Sequence, residues 1–277
     1  LIKNAEALEK MNKVTVLITD KTGTITEGKP SVEKIYAVDN QEELLLQSIA
    51  SLNQYSEHPL AQAVVYFAKA KNTSVLAVPD FEAITGKGVV GTVAAAKVAL
   101  GNKQLMEQVN AAVSEDLENK IIAEQKLGKT VSYVAIDGHA IGFVSIFDAI
   151  KTSSAAAIQE LMRQGVEVIM LTGDNENTAK AVSEELGLKG YKAGCLPEDK
   201  LKEIKKLQSE GKIVAMAGDG INDAPALAQA DIGLAMNSGT QAAKEAGNMV
   251  DLDSDPTKLV DVVEIGKQQL ITRGALT

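Results

Sequence analysis

From residue 153 onward, the chain alternates amphipathic helical segments with short runs of apolar residues. Helices are predicted around 154–164, 177–186 and 197–210, because each ends at a glycine and its apolar positions fall on one face. The apolar runs VEVIMLTGD, IVAMAGDG, IGLAM and NMVDL predict strands. Asp255-Pro256 predicts the start of a last helix through about Arg273. Strands that alternate with helices indicate a parallel sheet covered by helices.

A further buried-type strand, Val14–Thr19, belongs with this sheet but is separated from it by residues 31–148. In that intervening stretch the strands SVEKIYAV and TVSYVAID alternate polar with apolar positions, and helices are expected over 42–53 and 59–71. We therefore predict an α/β fold in which residues 1–30 and 149–277 form a Rossmann-like parallel sheet. Residues 31–148 are predicted to form an inserted, mostly antiparallel α+β domain.

Composition narrows the class of protein. The chain has 277 residues and a net charge of −9, and aromatic residues make up 3% of it. An acidic chain with few aromatics is a poor candidate for binding nucleic acid, whereas a local positive pocket can still bind ATP. The single cysteine, Cys195, excludes an internal disulfide and has no Cys or His neighbour at metal-ligand spacing. No apolar run is long enough to span a membrane, and the chain reads as an excerpt from a longer protein.

Three predicted strands end in a small residue followed by an aspartate, namely Asp20, Asp174 and Asp219. The carboxyl ends of parallel strands meet at one sheet edge, where α/β proteins bind ligands. Asp223 adds a fourth carboxylate one helical turn after Asp219. Clustered carboxylates raise one another's pKa unless a cation lies among them, and Mg²⁺ takes one or two carboxylates together with phosphate oxygens. The sequence therefore predicts a magnesium site at this edge.

The loop after Asp20 suits a phosphoryl group. Residues 22–24 have small side chains, and their backbone N–H groups can cradle a phosphate, although an ordinary Asx-type turn would explain this loop taken alone. A carboxylate can attack a phosphoryl group and form an aspartyl-phosphate. Lys200 is the candidate cation for the γ-phosphate, and the alternative for it alone is an exposed helix lysine.

The segments DKTGT at 20–24, TGDN at 172–175 and GDGINDAPAL at 218–227 resemble, in order and context, the signature motifs of P-type ATPases. That group lies within the haloacid dehalogenase-like superfamily, so the resemblance implies a haloacid dehalogenase-type sheet. It also implies ATP as substrate and Mg²⁺ as cofactor. The resemblance covers essentially the whole chain, apart from the poorly marked stretch 92–140.

The resemblance assigns roles to residues of these motifs. Asp20 would be the phosphorylated residue and a Mg²⁺ ligand, together with the Thr22 carbonyl and the Asp219 carboxylate. The other site residues that it implies are Thr172 and Gly173 as phosphoryl contacts beside Asp174, Lys200 as the neutralising cation, and Asn222 and Asp223 as members of the surrounding shell, with Asp223 also a candidate metal ligand.

Two elements of the inserted domain resemble the nucleotide-binding elements of heavy-metal-transporting P-type ATPases, YSEHPLAQAVV at 55–65 and TGKGVVG at 85–91. A His-Pro at a helix start is otherwise an ordinary cap, and a lone GxG is a weak signal, so the interpretation depends on their combination. The residues implied to hold adenine and ribose, or to let the backbone approach them, are Glu57, His58, Gly86, Gly88 and Gly91. His139 is predicted to lie at a hairpin tip without a role.

The motifs favour a heavy-metal pump that exports Cu⁺ and bear differently on three alternatives. Thr22 stands where superfamily phosphatases carry a second, acid–base aspartate, which disfavours a free-standing phosphatase. A regulatory nucleotide-binding module would not need Asp20, Lys200, Asp219 and Asp223 together. The stretch 235–277 resembles the potassium-transporting Kdp ATPase catalytic subunit, so a potassium-type pump stays open.

The resemblance also implies partners outside this chain. These are the pump's transmembrane helices, where the transported cation binds, and an actuator domain whose TGE loop directs water at the aspartyl-phosphate. The chain would lie on the cytoplasmic side of a plasma or inner membrane. The links at 28–31 and 147–151, the second with Asp148 and Lys151 in a DxxK pattern, are candidate hinges whose closure would carry the γ-phosphate of ATP to Asp20.

Overall fold

A computed structural model of the chain describes residues 2–3, 5–251, 255, 257–258, 260–261 and 263–264. In chain order its strands are β1 Val16–Asp20, β2 Ser31–Ala37, β3 Glu82–Ile84, β4 Gly88–Val93, β5 Ala96–Gly101, β6 Thr130–Ile136, β7 His139–Phe147, β8 Glu167–Leu171, β9 Gly190–Lys192, β10 Val214–Gly218, β11 Ile232–Met236 and β12 Met249–Asp251. Its helices are α1 Ala5–Lys10, α2 Glu42–Asn53, α3 Pro59–Ala70, α4 Lys103–Gln108, α5 Glu115–Gln125, α6 Ser154–Arg163, α7 Glu176–Leu186, α8 Pro197–Ser209, α9 Ala224–Gln229 and α10 Gln241–Ala246.

These elements form two compact units. The first contains residues 1–28 and 149–277, and the second contains residues 29–148. Among the described residues, no helix has both the length and the apolar character that crossing a membrane requires.

The first unit is built on a six-stranded parallel sheet in the order β12-β11-β10-β1-β8-β9. The central strand β1 is buried on both faces, because Leu17 packs in a core with α6 and α7 while Val16 and Ile18 pack in another with α8 and α9. Burial on both faces explains why β1 is a continuous apolar run. The predicted Rossmann-like parallel sheet with flanking helices is confirmed.

The second unit is built on a six-stranded antiparallel sheet in the order β2-β7-β6-β5-β4-β3. Helices α2 and α3 cover one face around Leu45 and Ile49, and helices α4 and α5 cover the other around Leu105 and Ile121. The predicted antiparallel α+β insertion is therefore confirmed. Strand β5 and helix α4 occupy the stretch that the sequence marks poorly.

Most predicted elements agree with the structure to within one or two residues. Seven short elements were not predicted, since each has too few residues to show a period: α1, β3, β5, α4, β9, α9 and α10. His139 is the first residue of β7, and the turn before it consists of Asp137 and Gly138, both with positive φ. The predicted last helix, from Asp255-Pro256 to about Arg273, falls mostly outside the described residues.

The two chain segments that lead out of the first unit run side by side. Thr26 forms an antiparallel bridge with Ile150, and the Glu27 N–H donates to the Ala149 carbonyl at 2.8 Å. The division between the units follows Gly28, whose φ of 68° lies in the left-handed region that glycine adopts freely. The second division follows Asp148.

Candidate active site

The three central strands of the first unit bring the predicted motifs to one edge of the sheet. Asp20 ends β1, Asp219 directly follows β10, and Thr172 directly follows β8. Strands β10 and β8 both pair with β1 in parallel, so their carboxyl ends are neighbours. Carboxylate oxygens of Asp20, Asp219 and Asp223 all lie within 4.8 Å of one another. The structure thus brings together three of the four carboxylates that the strand-end pattern predicts to meet, whereas Asp174 is not a member of this cluster and pairs with Lys21 instead.

Lys200 is the cation of this cluster. Its Nζ lies 2.5 Å from Asp20 Oδ1 and 2.7 Å from Asp223 Oδ1. Burial acts to lower the pKa of Lys200, but the adjacent Asp20 and Asp223 outweigh it and hold that pKa above its ordinary value. The side chain stays protonated at neutral pH, and the alternative of an exposed helix lysine is wrong, since Lys200 is 7% exposed.

The carboxylates carry more negative charge than Lys200 compensates. Burial, together with Asp20 and Asp223, raises the pKa of Asp219 to about 7. Burial also raises the pKa of Asp20, although Lys200 opposes this. In the loop after Asp20, the buried hydroxyl of Thr24 also has no hydrogen-bond partner among the described residues, so a polar group near these carboxylates is left unsatisfied. Closely spaced carboxylates with raised pKa values fit a Mg²⁺ ion, because a divalent cation relieves their repulsion.

Asp223 has a second task besides binding Lys200. Its Oδ2 accepts the Gly220 N–H at 3.1 Å and the Asp219 N–H at 3.3 Å. Both carboxylate oxygens of Asp223 therefore accept hydrogen bonds within the protein. Asp20 and Asp219 are the carboxylates of the cluster better able to bind a metal ion, and a metal-binding role for Asp223 stays a prediction. Asn222 lies in the same turn with an exposed side chain.

The TGDN segment is tied to the loop after β1 by an ion pair between Asp174 and Lys21, both of whose side chains are buried. The Thr172 hydroxyl donates to Asp174 Oδ2 at 3.1 Å and accepts the Asp174 N–H at 3.1 Å. Sequence reasoning did not assign Lys21 a partner. A buried aspartate such as Asp174 needs a nearby cation to compensate its charge. That requirement is the signal from which a partner such as Lys21 could have been predicted. Gly173 is exposed.

Cys195 lies beside this segment, and its N–H donates to the Thr172 carbonyl at 2.9 Å. Burial raises the pKa of its thiol, so the group is a neutral packing residue rather than a reactive thiolate.

In the second unit, His58 caps α3 by accepting the Leu60 N–H on Nδ1 at 3.2 Å, and both His58 and Glu57 are exposed. The preceding Tyr55 is anchored by its hydroxyl, which accepts the Val78 N–H at 3.2 Å. Its ring also lies 5.6 Å from that of Phe81, centroid to centroid. The segment around the SEHPL motif therefore runs along the chain that leads into β3 and the glycine-rich turn.

That glycine-rich turn is held by a residue that sequence reasoning missed. The Asn102 side chain donates from Nδ2 to the Gly86 carbonyl at 2.7 Å, and Gly88 lies opposite Gly101 in the β4–β5 pair. Gly88 has φ +145°, and a Cβ there would overlap the Leu100 carbonyl. The close backbone approach at Gly88 thus requires glycine in the fold itself.

Gly91 differs from the other two glycines because it is buried. A Cβ at Gly91 would overlap Val78 and press on Leu52. Core packing therefore explains the absence of a side chain at Gly91, and its predicted approach to a nucleotide has no support from its surroundings.

Asn53, at the end of α2, is a further residue that sequence reasoning missed. It is 5% exposed, and its Nδ2 has no hydrogen-bond partner among the described residues. A buried donor without a partner is unusual and marks a place where a bound acceptor would complete the hydrogen bonding.

Comparison with known proteins agrees with this geometry. Residues 14–231 match the family model of the haloacid dehalogenase-like hydrolases, and the chain belongs to that family. Within it, the chain is similar to P-type ATPases: it is 47% identical, over 92% of its length, to a copper-exporting P-type ATPase of Legionella pneumophila, of which it spans 34%. It is 42% identical, over its whole length, to the potassium-transporting ATPase ATP-binding subunit of Xanthomonas axonopodis, of which it spans 42%.

A solved structure of the catalytic domain of the CPx-ATPase CopB-B superimposes with a TM-score of 0.77 at 32% identity, covering 95% of this chain and 94% of that one. The resemblance to P-type ATPases read from the motifs is confirmed, and so is the haloacid dehalogenase-type fold.

Proposed function

We propose that this chain is the ATP-binding and phosphorylation part of a P-type ATPase and that Asp20 becomes phosphorylated. The observation that carries the proposal is the buried Asp20 carboxylate at the end of β1, bonded to Lys200 with Asp219 alongside. No structural requirement of a parallel sheet explains a charged cluster of this kind at its ligand-binding edge.

Asp20 would attack the γ-phosphorus of ATP through a carboxylate oxygen, forming an acyl-phosphate bond as the bond to the ADP oxygen breaks and ADP leaves. Lys200 orients Asp20 and neutralises charge on the phosphoryl oxygens. Thr172 and Gly173 would contact those oxygens from the loop that the Lys21–Asp174 pair holds. Asp20, Asp219 and the Thr22 carbonyl would hold Mg²⁺, which supplies further neutralisation of the phosphate charge.

The nucleotide would be bound by the second unit. The exposed His58 and Glu57, together with the turn at Gly86 and Gly88, would offer contacts to a base and a ribose. The Asn53 Nδ2 group, which has no hydrogen-bond partner in the described part of the chain, would offer a further donor. Asn102 acts indirectly, because it holds the Gly86 carbonyl.

The parent protein would be a heavy-metal pump, with Cu⁺ as the leading ion. The support is the name of the copper-exporting relative together with the SEHPL segment. The potassium-type alternative has its own support in the whole-length similarity to a potassium-transporting ATPase subunit. In either case the cation-binding transmembrane helices and an actuator domain would be partners, and this part would face the cytoplasm.

The chain by itself is expected to form a phosphoenzyme and to turn it over slowly. Thr22 replaces the acid–base aspartate, and Asp219 and Asp223 are engaged in the cluster, so neither of these two carboxylates is placed to activate water. Losing a positioned general base costs about 10²–10⁴ in rate. The measurement is acid-quenched labelling with γ-labelled ATP, in which the label should be hydroxylamine-labile, followed by a chase with unlabelled ATP. Rapid turnover that depends on Asp20 would instead support a phosphatase of the same family.

His58→Ala is expected to weaken ATP binding about tenfold, the loss typical of one good polar contact. The matched control is His139→Ala, because His139 is the other histidine of the chain and is also exposed in the second unit. Calorimetric titration with a non-hydrolysable ATP analogue measures both affinities. Equal weakening by the two substitutions, or none by either, would count against this location of the nucleotide.

A further inference from the structure

The loop that follows β1 is hydrogen-bonded to the segment at the start of α6. The carbonyls of Gly23 and Thr24 each accept a hydrogen bond from Lys151 Nζ at 3.0 Å. The next carbonyl, of Ile25, accepts the Lys151 N–H at 3.0 Å and the Ser154 hydroxyl at 2.7 Å. Three consecutive carbonyls are therefore bound by two residues that lie far away in the sequence.

Lys151 is buried, with 8% of its surface exposed. Burial lowers the pKa of its amine, and Glu27, Asp219, Asp251 and Asp255 oppose that effect. An apolar side chain would fill the same space without the cost of desolvating a cation. The observed hydrogen bonds from its amine to two buried carbonyls offset part of that cost.

The contacts of Lys151 set the geometry of the loop. The carbonyl and the N–H of one peptide point in opposite directions, so anchoring the Gly23 and Thr24 carbonyls also orients the N–H groups of the two peptides. Gly23 has φ +72° and lies directly against the Asp219 carboxylate, which a Cβ would overlap. Anchoring the Gly23 carbonyl therefore also fixes the position of Gly23 against the Asp219 carboxylate.

We propose that Lys151 is a positioning residue for phosphoryl transfer. By anchoring the Gly23 and Thr24 carbonyls, it keeps the loop that follows Asp20 in the shape that accepts a phosphoryl group. The inference rests on the proposed function. It differs from the hinge role that the DxxK pattern suggests for Lys151, because it places the effect in the phosphorylation loop.

Lys151→Met removes the donors and keeps a long unbranched side chain. We expect affinity for beryllium fluoride, a phosphoryl analogue, to fall about 10- to 100-fold in the presence of Mg²⁺, the loss typical of charge-assisted hydrogen bonds. The rate of phosphoenzyme formation at saturating ATP should fall in parallel, while affinity for a non-hydrolysable ATP analogue stays unchanged. Lys151→Arg, which restores cationic donors, should recover part of both losses.

Two controls separate positioning from general stability. Lys212→Met removes an exposed lysine of the same unit and should leave all readouts unchanged. Leu161→Ala removes a buried side chain about two helical turns after Ser154 in α6 and leaves the hydrogen bonds of Lys151 and Ser154 in place. It should lower the unfolding temperature and leave beryllium fluoride affinity intact. If Lys151→Met does not fold, Lys151→Gln provides the test, because it replaces the ammonium group with a shorter, uncharged amide and should also lose affinity.

The outcomes distinguish the inference from the proposed function. A wild-type chain that neither binds beryllium fluoride nor forms a phosphoenzyme would overturn the proposed function. A wild-type chain that does both, with a folded Lys151 variant of equal affinity and rate, would overturn the role of Lys151 alone. Loss of beryllium fluoride affinity in Leu161→Ala as large as in Lys151→Met would also overturn it.

Discussion

Asp20→Asn is expected to abolish phosphoenzyme formation completely. The amide has no anionic oxygen with which to attack the γ-phosphorus, and no other carboxylate of the cluster lies at the end of β1. Burial raises the pKa of Asp20, so the charged form is disfavoured by the fold and a neutral isostere relieves that cost. The unfolding temperature of the variant should therefore equal or exceed that of the wild type, and ATP affinity should be unchanged.

The measurement is acid-stable labelling from γ-labelled ATP, combined with thermal unfolding and ATP-analogue titration. Asp231→Asn is the matched control, because Asp231 precedes β11 at the opposite edge of the same sheet and binds Lys10, Gln208 and the Val214 N–H. That control should keep its phosphorylation. Labelling that persists in Asp20→Asn would refute the assignment of the nucleophile.

Lys200→Met is expected to reduce phosphoenzyme formation by about 10²–10³, the range found when a positioned electrostatic group is removed from an active site. It should also destabilise the first unit. Removing one partner of a buried ion pair costs about 3–5 kcal/mol, because the remaining charge is left uncompensated, and Lys200 compensates both Asp20 and Asp223.

Labelling rates and chemical denaturation measure the two effects, and the matched control is Lys202→Met, an exposed lysine on the same helix. Because destabilisation alone would lower the labelled fraction, rates are compared only where each variant is folded. A folded Lys200→Met variant that is labelled at the wild-type rate would show that this cation does not serve the transfer step.

The edge of the sheet was predictable because its determinants are local. Three strands are apolar runs followed by a small residue and then an aspartate, and parallel strands align their carboxyl ends. That pattern alone places Asp20 and Asp219 together. The helix limits were equally local, since α2 begins and ends at the residues predicted from its apolar face.

The partners of the buried charges were not predictable from local pattern. Lys21 with Asp174, and Lys151 with the carbonyls of Gly23 and Thr24, pair residues that are distant in the chain, and nothing in their immediate sequence names the partner. Gly91 was also beyond what local pattern can predict. A glycine-rich motif does not reveal whether a glycine lacks a side chain to leave room for a ligand or, as at Gly91, to leave room for the neighbouring side chain of Val78.

The sequence by itself therefore determined the parallel sheet with its inserted antiparallel part, the strand-end aspartates and the family resemblance, since all of them follow from local periodicity and short contiguous motifs. Only the tertiary structure decided which cation compensates which carboxylate, which carbonyls are anchored, and which glycine is a packing residue. The physical reason is that hydrogen bonds and ion pairs depend on distances of a few ångströms between side chains from different elements, and these distances exist only once the sheets and helices have packed.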